Sequence, residues 1–472
     1  MYKKCEHIHF MGIGGIGMSG IAEILRLQGY KVSGCDLSGV GKTIEHLQKI
    51  GCLISCGHDK NHVVDADVLV YSSAVDMQGP EVLAAIEKGI PVIPRAIMLA
   101  ELMRTKYSIA VSGTHGKTTT TSLISHIMIE GGMQPTVIVG GVLKSINNNA
   151  QLGDGDFLIA EADESDRSLL YLHPTMAVVT NIDNDHLDTY KDIEDIKNTF
   201  KDFLGRLPFY GKAFVCIDDQ NIQAILPLQH INVVKYGLSE KADLMGKVIE
   251  LGKSQTIFDL YKNQFDINTG TVTQTCLGRI TLNMPGIHNV LNSLAATALC
   301  MESGIALDVI IQALESFRGV ERRFEFKGIF NGVDVFDDYG HHPTEIKNTL
   351  LVAQKRKNKR LHVVFQPHRF TRTQKCWDQF VDVLAGSSDF YKIDALYLAE
   401  IYPASEKPIS GITSENLAQA IQNRNPNLKV MCLPTYNDIK NAVQSEVQVG
   451  DLVLTIGAGK INKVGESLVD NK

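Results

Sequence analysis

A glycine-rich hexapeptide, G-T-H-G-K-T, occupies residues 113–118 and has the residue types of a phosphate-binding loop. A strand is predicted over residues 108–112, directly before it, and a helix over residues 118–128, directly after it. Glycines allow backbone N–H groups to close on an anion, and the positive end of the following helix points at the same place. We therefore expect Lys117 to reach the outer phosphates of ATP and the Thr118 hydroxyl to hold Mg²⁺.

This loop is shorter than the general template G-x-x-x-x-G-K-[ST], whose first glycine would fall at Val111. The alternative interpretation is an ordinary Gly/Thr turn before a helix. ATP binding is favoured over it because an apolar strand, two glycines, a lysine and four threonines in this order all suit one mechanism.

A second glycine-rich turn lies near the N-terminus, where Gly12, Gly14 and Gly17 satisfy G-x-G-x-x-G after a strand predicted over residues 7–11. Such a turn binds a diphosphate at a helix N-terminus, and an acidic residue about 20 positions later binds a ribose hydroxyl. Asp36 ends the next predicted strand and has that place. The motif by itself leaves NAD, FAD and a nucleotide sugar open as ligands.

Three more polar residues, Ser72, Ser73 and Arg95, follow two further predicted strands of this first segment. Ligands bind at the carboxyl ends of parallel strands, so these side chains are expected to face the same nucleotide. Each is also an ordinary loop residue, which is the alternative interpretation.

Two apolar strands predicted downstream of the phosphate loop end in acidic residues. The first, over residues 156–160, continues into E-A-D-E-S-D, and the second, over residues 176–180, continues into N-I-D-N-D-H-L-D. Carboxylates and a histidine at strand ends suit a second clamp on Mg²⁺, for which Glu161 and His186 are the candidates. The alternative to a metal site, if either stretch is considered alone, is that the carboxylates lie in solvated loops and the histidine belongs to the core.

Two pairs of residues in the second half of the chain have spacings that suit ligand binding. His288 and Asn292 are four apart on a predicted helix and are candidates for the edge of adenine. Arg369 and Arg372 are three apart and suit the gripping of a carboxylate, although exposed arginines are common.

The elements that must position these groups are those of an α/β protein. At 472 residues the chain has the length of about three domains. The predicted bounds are 1–105 for a Rossmann-like domain, 106–318 for a P-loop ATPase-like parallel sheet and 319–472 for a second Rossmann-like α/β domain. Short β-like runs over 213–282 predict an antiparallel excursion beside the main sheet, and Thr344 is the predicted N-cap of a helix in the last domain.

Composition limits the function classes. The net charge of −7 disfavours general nucleic-acid binding and gives no polybasic membrane signal. The nine cysteines show neither a zinc-site spacing nor a disulfide framework, which suits reduced thiols. No apolar run approaches the roughly 20 residues that a membrane span needs. We expect a cytoplasmic enzyme, monomeric or weakly dimeric.

Eight stretches, taken in order, resemble the Mur ligase family, the ATP-dependent amide-forming enzymes of bacterial cell-wall synthesis. They are H-F-M-G-I-G-G-I-G-M-S-G (9–20), S-G-T-H-G-K-T-T-T (112–120), E-A-D-E-S-D (161–166), T-N-I-D-N-D-H-L-D-T-Y (180–190), G-I-H-N-V-L-N (286–292), E-R-R-F (321–324), D-D-Y-G-H-H-P-T-E (337–345) and Q-P-H-R-F-T-R-T (366–373). The resemblance covers essentially the whole chain, and the shortened phosphate loop is the form that this family uses.

The sequence most resembles the alanine-adding branch of the family. This implies a ligase that joins L-alanine to the lactyl carboxylate of UDP-N-acetylmuramate, with ATP and Mg²⁺ as cofactors. An acyl phosphate would form on the carboxylate, and the amine of alanine would then attack it. The implied partners are these small molecules, with no nucleic acid and no membrane.

The resemblance also implies a role for each site residue. The UDP-sugar is expected at Gly14, Gly15, Ile16, Gly17, Asp36, Ser72, Ser73 and Arg95. ATP is expected at Gly113, Thr114, His115, Gly116, Lys117, Thr118, Thr119, His288, Asn292, Arg323 and Asp338. Mg²⁺ is expected at Thr118, Glu161 and His186, and the lactyl carboxylate and alanine at Tyr339, His341, Arg369 and Arg372. The expected catalytic residues are Lys117, Glu161, His186 and His341, of which His341 and His186 are both hypotheses for the base.

Several alternatives stay open. Sister enzymes carry a carbamylated lysine one short helix beyond the metal-binding histidine; the resemblance places Phe200 there, and a one-residue slip would give Lys201. A recycling ligase that adds a whole tripeptide to the same nucleotide sugar is the nearest rival, although the glycine loop favours alanine. An NAD-dependent dehydrogenase and a non-catalytic ATP-dependent switch or scaffold are the others.

Overall fold

The computed structural model describes residues 5–72, 75–143, 148–186, 189–265, 269, 271–386, 390–404 and 406–470. The described residues form three β-sheets of five, ten and six strands, connected largely by α-helices. The α/β class predicted from the sequence is confirmed.

The first sheet has five parallel strands in the order β3-β2-β1-β4-β5. Its strands are β1 (His7–Met11), β2 (Lys31–Asp36), β3 (Leu53–Cys56), β4 (Val68–Tyr71) and β5 (Val92–Pro94). Its helices are α1 (Ile16–Leu27), α2 (Lys42–Lys49), α3 (Pro80–Glu87) and α4 (Arg95–Met103), with a 3₁₀ turn at Lys60–Val63. The strand order reverses between β1 and β4, so the glycine-rich turn after β1 lies at the switch point where nucleotides bind.

The second sheet has ten strands in the order β15-β14-β13-β12-β11-β10-β6-β9-β7-β8. Its strands are β6 (Tyr107–Ser112), β7 (Thr136–Leu143), β8 (Asn148–Gln151), β9 (Phe157–Glu161), β10 (Met176–Val179), β11 (Lys212–Cys216), β12 (Asn232–Gly237), β13 (Leu244–Leu251), β14 (Thr256–Phe265) and β15 (Val272–Leu282). Its helices are α5 (Lys117–Glu130), α6 (Ile193–Leu204), α7 (Gln220–Ile225), α8 (Ile287–Glu302) and α9 (Leu307–Ser316), with a 3₁₀ turn at Ser168–Tyr171. The central strands β6 and β10 are buried almost throughout, as strands covered on both faces of a parallel sheet are.

The prediction of an antiparallel excursion over residues 213–282 is partly wrong. Strands β11 and β12 are parallel members of the sheet, and β13 also pairs in parallel with β12. Within this segment, antiparallel pairing is confined to β13 with β14 and β14 with β15. Strand β11 is buried along nearly its whole length, as a central parallel strand must be, whereas β15 is mostly exposed and β14 alternates.

The third sheet has six strands in the order β16-β17-β21-β18-β19-β20, and only the edge strand β16 is antiparallel. Its strands are β16 (Glu325–Phe330), β17 (Val333–Asp338), β18 (Leu361–Phe365), β19 (Ala395–Leu398), β20 (Lys429–Cys432) and β21 (Leu452–Ile456). Its helices are α10 (Pro343–Arg356), α11 (Phe370–Lys375), α12 (Trp377–Leu384), α13 (Ser414–Arg424), α14 (Tyr436–Glu446) and α15 (Asn462–Val469).

The N-cap of α10 is His342, so the prediction of Thr344 was wrong. Pro343 takes the first helical position, where its missing N–H is not needed, and Glu345 completes a capping box with His342. The helix therefore begins inside the polar stretch that follows β17.

The first two sheets pack closely together. Strands β7 and β8 lie against α1, where Asn148 Nδ2 donates to Glu23 Oε1 at 2.9 Å and Asn149 Nδ2 donates to the Ile16 carbonyl at 2.7 Å. One apolar core runs through both, while the third sheet has cores of its own. Within the described part of the chain, no helix combines the length and apolar character needed to cross a membrane.

Candidate active site

The phosphate loop joins β6 to α5 as predicted. Gly113 and Gly116 have φ angles of 128° and 84°, which side chains rarely tolerate, and Gly116 is the N-cap of α5. A Cβ on Gly113 would clash with Thr180, and one on Gly116 would lie 2.6 Å from Asn292 Oδ1. Both glycines are therefore required by backbone conformation and by the closeness of their neighbours.

Two residues after β10 hold this loop in place. The Asn181 side chain and backbone carbonyl accept hydrogen bonds from the His115 and Thr114 N–H groups at 2.9 and 3.1 Å. Thr180 Oγ1 donates to the His115 carbonyl at 2.6 Å. Neither Thr180 nor Asn181 was predicted as a site residue, although both begin the stretch that contains His186.

The Lys117 side chain folds back onto the phosphate loop. Its Nζ lies 2.8 Å from each carboxylate oxygen of Glu164 and donates to the Gly113 and Thr114 carbonyls at 2.7 and 3.2 Å. Burial acts to lower the pKa of Lys117, but the carboxylates of Glu164 and Asp163 outweigh it and raise the pKa above its ordinary value. The ammonium group is therefore charged in the folded protein.

The predicted metal residues form two adjoining groups. Thr118 Oγ1 donates to Glu161 Oε2 at 3.3 Å, and the Gly140 N–H donates to Glu161 Oε1 at 3.0 Å. Burial raises the pKa of Glu161. His186 Nε2 instead lies 3.3 Å from Glu164 Oε1. The Thr118 hydroxyl and the Glu161 carboxylate supply the oxygen ligands that a magnesium ion with several bound waters prefers, so these two residues suit this ion.

Glu164 is the main residue that the sequence left unassigned. It contacts both Lys117 and His186, and its side chain is 2% exposed. The signal was present, because E-A-D-E-S-D was recognised as a motif, but nothing in the sequence alone separates the role of Glu164 from that of Glu161.

A cavity of about 560 Å³ opens beside the phosphate loop, between the second and third sheets. Seven of the predicted ATP residues line it: His115, Gly116, Thr119, His288, Asn292, Arg323 and Asp338. Its volume lies in the range of small-ligand sites. Residues from α8, from the segment before β16 and from the end of β17 are thus brought to the loop after β6.

Burial shifts the pKa values of two titratable groups that line this cavity. It lowers the pKa of His288 to about 4, which leaves a neutral imidazole. It raises the pKa of Asp338 to about 6, although the Phe324 and Gly340 N–H groups each donate to this carboxylate at 2.8 Å. Asp338 accepts from the backbone just before β16 and just after β17 and is therefore fixed in orientation.

His115 links the second sheet to the third. Its Nε2 lies 3.0 Å from Asp183 Oδ2 and its Nδ1 lies 3.6 Å from Glu345 Oε1. Burial acts to lower the pKa of His115, but the two carboxylates outweigh it and raise the pKa to about 9. Thr344 Oγ1 also donates to Asp183 Oδ2 at 2.7 Å. Asp183, Thr344 and Glu345 were not predicted as site residues, because their partners lie far away in the sequence.

The residues expected to hold the lactyl carboxylate and alanine lie in the segments that follow β17 and β18 of the third sheet. Arg372 Nε lies 3.4 Å from Asp185 Oδ1, and both side chains are buried. His341 Nδ1 lies 3.2 Å from the Tyr339 carbonyl, and burial lowers the pKa of His341 to about 3. Arg369 is the N-cap of α11 with a φ angle of 72°, and its N–H donates to the Tyr402 carbonyl at 2.8 Å.

The glycine-rich turn of the first sheet brings its predicted residues together. The Gly14 N–H donates to Asp36 Oδ2 at 3.1 Å. A Cβ on Gly17 would lie 2.9 Å from Arg95 Nη1, and one on Gly12 would lie 3.4 Å from Ser72 Oγ.

The remaining residues predicted for this turn have three different placements. Gly15 is the N-cap of α1 and Ile16 its exposed first residue. Ser73 lies outside the described residues.

An ion pair connects this turn to the phosphate loop. Arg95 Nη2 lies 3.8 Å from Asp163 Oδ2, and Asp163 follows β9 by two residues. Burial acts to raise the pKa of Asp163, but Lys117, the Ser165 N–H and Arg95 together outweigh it and lower the pKa. The two glycine-rich turns therefore share one charged network.

The position left open between Phe200 and Lys201 lies on α6. The Phe200 side chain is fully buried in the core, whereas Lys201 is exposed. The exposed lysine and the buried phenylalanine point in different directions, and the core contact of Phe200 gives this residue a packing role.

Comparisons with known proteins follow the same three parts of the chain. Residues 7–107 match the "Mur ligase family, catalytic domain", residues 111–300 the "Mur ligase middle domain" and residues 322–459 the "Mur ligase, glutamate ligase domain". The UDP-N-acetylmuramate–L-alanine ligases of Geotalea uraniireducens and Geotalea daltonii are each 50% identical over 471 residues, which cover 100% of this chain and 99% of theirs.

A solved structure has the same architecture. The crystal structure of UDP-N-acetylmuramate–alanine ligase MurC from Thermotoga maritima matches with a TM-score of 0.79 and 26% identity, covering 98% of each chain. With whole-length relatives at 50% identity and three matching domains in order, the chain belongs to the Mur ligase family.

Proposed function

We propose that this protein is an ATP-dependent ligase that joins L-alanine to the lactyl carboxylate of UDP-N-acetylmuramate and releases ADP and phosphate. The observation that carries the proposal is the charged network that runs from Arg95 through Asp163 to Lys117. It joins a diphosphate-binding turn to an ATP-type loop, so two different nucleotides have adjacent sites. Relatives that share half their residues with the whole chain are named for this activity.

The proposed division of labour follows the predicted bounds. The first domain (1–105) holds the UDP-sugar, the second (106–318) holds ATP, and the third (319–472) holds the lactyl carboxylate and alanine. Two contacts between the second and third domains support this division. His115 Nδ1 lies 3.6 Å from Glu345 Oε1, and Arg372 Nε lies 3.4 Å from Asp185 Oδ1.

The first chemical step is attack of a lactyl carboxylate oxygen on the γ-phosphorus of ATP, which gives an acyl phosphate and ADP. Negative charge grows on the transferred phosphoryl oxygens, and the Lys117 ammonium is placed to offset it. Lys117 must exchange at least part of its contact with Glu164 for the phosphate. Bound Mg²⁺, held by Thr118, Glu161 and His186, would supply further positive charge on the same oxygens.

The second step is attack of the alanine amine on the acyl carbon, after which phosphate leaves from the tetrahedral intermediate. The amine must be neutral to attack. The low pKa of His341 leaves its imidazole neutral, so this ring is available as a hydrogen-bond acceptor for the amine. His186 is the weaker candidate for the base, because it is proposed to hold Mg²⁺ and a nitrogen bound to the ion cannot accept a proton.

The alternative activities receive less support. The recycling ligase would need space for a tripeptide, and the relatives at 50% identity carry the name of the alanine-adding enzyme. A dehydrogenase would leave the phosphate loop, Lys117 and the 560 Å³ cavity without a role.

The test is phosphate release from ATP with and without UDP-N-acetylmuramate, against a panel of L-alanine, glycine, L-serine and the tripeptide. We expect release only when both the nucleotide sugar and an amino acid are present, with the highest kcat/KM for L-alanine. Preference for the tripeptide would identify the recycling ligase. Release that needs neither compound, or tight NADH binding in a fluorescence titration, would overturn the proposal.

A further inference from the structure

A second group of metal-binding residue types lies in the first sheet, away from the phosphate loop. This cysteine–histidine cluster consists of His9, Cys35, His58, His62 and Glu81. Its members come from β1, β2, the segment after β3, the 3₁₀ turn and α3. No spacing rule for zinc sites links them in the sequence, which is why composition alone did not indicate a site.

The donor atoms of the cluster converge. In the set His9, Cys35 and His62, and again in the set Cys35, His58 and Glu81, one ligand atom from each residue lies within 4.8 Å of the others. Glu81 Oε1 lies 3.0 Å from His58 Nδ1, 3.2 Å from His62 Nδ1 and 3.4 Å from Cys35 Sγ. A single carboxylate oxygen thus has two imidazoles and a thiol around it.

The buried members have polar atoms without partners. Cys35 and Glu81 are completely buried and His9 is 1% exposed. Glu81 Oε2 and His9 Nε2 have no hydrogen-bond partner among the described residues. Buried polar groups are normally satisfied, so two such atoms in one cluster indicate a missing ligand.

The surroundings orient these donors as the second shell of a metal site does. Ser33 Oγ lies 2.8 Å from His9 Nδ1 and so leaves the other ring nitrogen of His9 available. The Asp59 N–H donates to Glu81 Oε1 at 2.9 Å and fixes that carboxylate.

We propose that this cluster binds one transition-metal ion, for which zinc is the expected element, through Cys35, His9, His62 and Glu81. Thiolate sulfur, imidazole nitrogen and a carboxylate oxygen are zinc ligands, whereas Mg²⁺ prefers an all-oxygen set. His58 is the most exposed of the five and remains hydrogen-bonded to Glu81. On binding, the Cys35 thiol releases its proton to solvent, and the thiolate forms the bond to the ion.

The site has a structural connection to the glycine-rich turn. The Cys35 carbonyl accepts hydrogen bonds from the Gly12 and Ile13 N–H groups at 2.8 and 3.2 Å, and Asp36 follows Cys35 directly. An ion bound to Cys35 would therefore hold the turn from the opposite face of the sheet. The expected role is to stabilise the first sheet.

The test uses the full-length protein after removal of metal by a chelator, with Co²⁺ as a spectroscopic probe and no nucleotide present. We expect one equivalent of Co²⁺ to bind with a thiolate-to-cobalt charge-transfer band, and one equivalent of Zn²⁺ to displace it. Cys35→Ser should abolish the band. Cys56→Ser is the matched control, because Cys56 is exposed on the neighbouring strand and should leave the band unchanged.

Two histidine variants make the test independent of the cysteine. His9→Gln and His62→Gln should each weaken Zn²⁺ binding by at least about tenfold, as loss of a ligand does. One equivalent of Zn²⁺ should raise the Tm of the wild type by more than it raises that of His62→Gln. The proposal is overturned if the wild type shows no thiolate band, if Cys35→Ser keeps it, or if millimolar Mg²⁺ displaces the ion.

Discussion

Lys117 and Glu164 form a buried ion pair at the floor of the phosphate loop, with Nζ lying 2.8 Å from each carboxylate oxygen. The same carboxylate contacts His186 at 3.3 Å. Removing one partner from a buried pair leaves the other charge uncompensated. Glu164 therefore contacts both the group proposed to bind the phosphates and a residue proposed to hold Mg²⁺.

Lys117→Ala should lower kcat for phosphate release by about 10²-fold or more, because it removes charge that stabilises the transferring phosphoryl group. The measurement is coupled phosphate release at saturating substrates. Lys31→Ala, which changes an exposed lysine at the start of β2, is the control and should keep wild-type activity. Wild-type turnover in the Lys117 variant would refute the phosphate-loop assignment.

Glu161→Gln should raise the Mg²⁺ concentration needed for half-maximal activity by about tenfold, because a carboxylate ligand is replaced by a weaker amide. The measurement is an Mg²⁺ titration at fixed ATP. Glu130→Gln, at the last residue of α5, is the control and should titrate like the wild type. An unchanged titration in Glu161→Gln would count against its metal role.

Both glycine-rich turns were predictable because their signals are local. A strand, a glycine turn and a helix follow one another in the chain, and the residues that bind lie within a few positions of each other. The contacts of His115 were not predictable in this way. Its two carboxylate partners are 68 and 230 residues away, and only the packing of the third sheet against the second brings Glu345 to it.

The same reasoning explains the errors in the fold. Alternation and apolar runs predict strands but not their direction, so β11 was grouped with the antiparallel strands that follow it. The strand is parallel because α6 carries the chain from the end of β10 back to the edge of the sheet at which β10 starts, so β11 runs in the same direction. The Thr344 error has a local cause, because histidine is an uncommon N-cap and Pro343 fixes where α10 begins.

Gly14→Ala should weaken UDP-N-acetylmuramate binding at least about tenfold, since the new Cβ would lie 2.8 Å from Asp36 Oδ2 and displace the carboxylate expected at the ribose. Isothermal titration with UDP-N-acetylmuramate measures the change, and ATP affinity should stay the same. Gly205→Ala is the matched control, because its Cβ would lie no closer than 3.4 Å to other atoms. Equal losses for both nucleotides would argue against a separate UDP-sugar site.

Arg372→Ala should raise the KM values for L-alanine and UDP-N-acetylmuramate far more than the Kd for ATP. Arg372 contacts Asp185 and does not line the cavity expected to hold adenine. Arg372→Lys should recover part of the loss, since it keeps the charge but not the planar guanidinium. Initial-rate kinetics and equilibrium ATP binding provide the two readouts. A loss of ATP affinity as large as the rise in KM would contradict this division.

His115 should make the contact between the second and third sheets dependent on pH. Its pKa rises from 6.5 to about 9 in the folded protein because Asp183 and Glu345 stabilise the imidazolium more than burial destabilises it. A raised pKa means that the charged form stabilises the fold. This stabilisation is complete below pH 6.5, declines as the pH rises and is lost above about pH 9, and it amounts to at most about 3 kcal/mol.

Denaturant unfolding of the wild type and of His115→Gln at several pH values tests this expectation. The free-energy difference between the two proteins should be largest at pH 6.5 and should shrink steadily towards pH 9. His173→Gln is the control: this exposed histidine has a lowered pKa, so its contribution should be constant over the same range. Two results would contradict this expectation: a free-energy difference between wild type and His115→Gln that stays constant from pH 6.5 to 9, or an ordinary pKa for His115 in an NMR titration. Either would show that the carboxylates of Asp183 and Glu345 do not raise the pKa of His115.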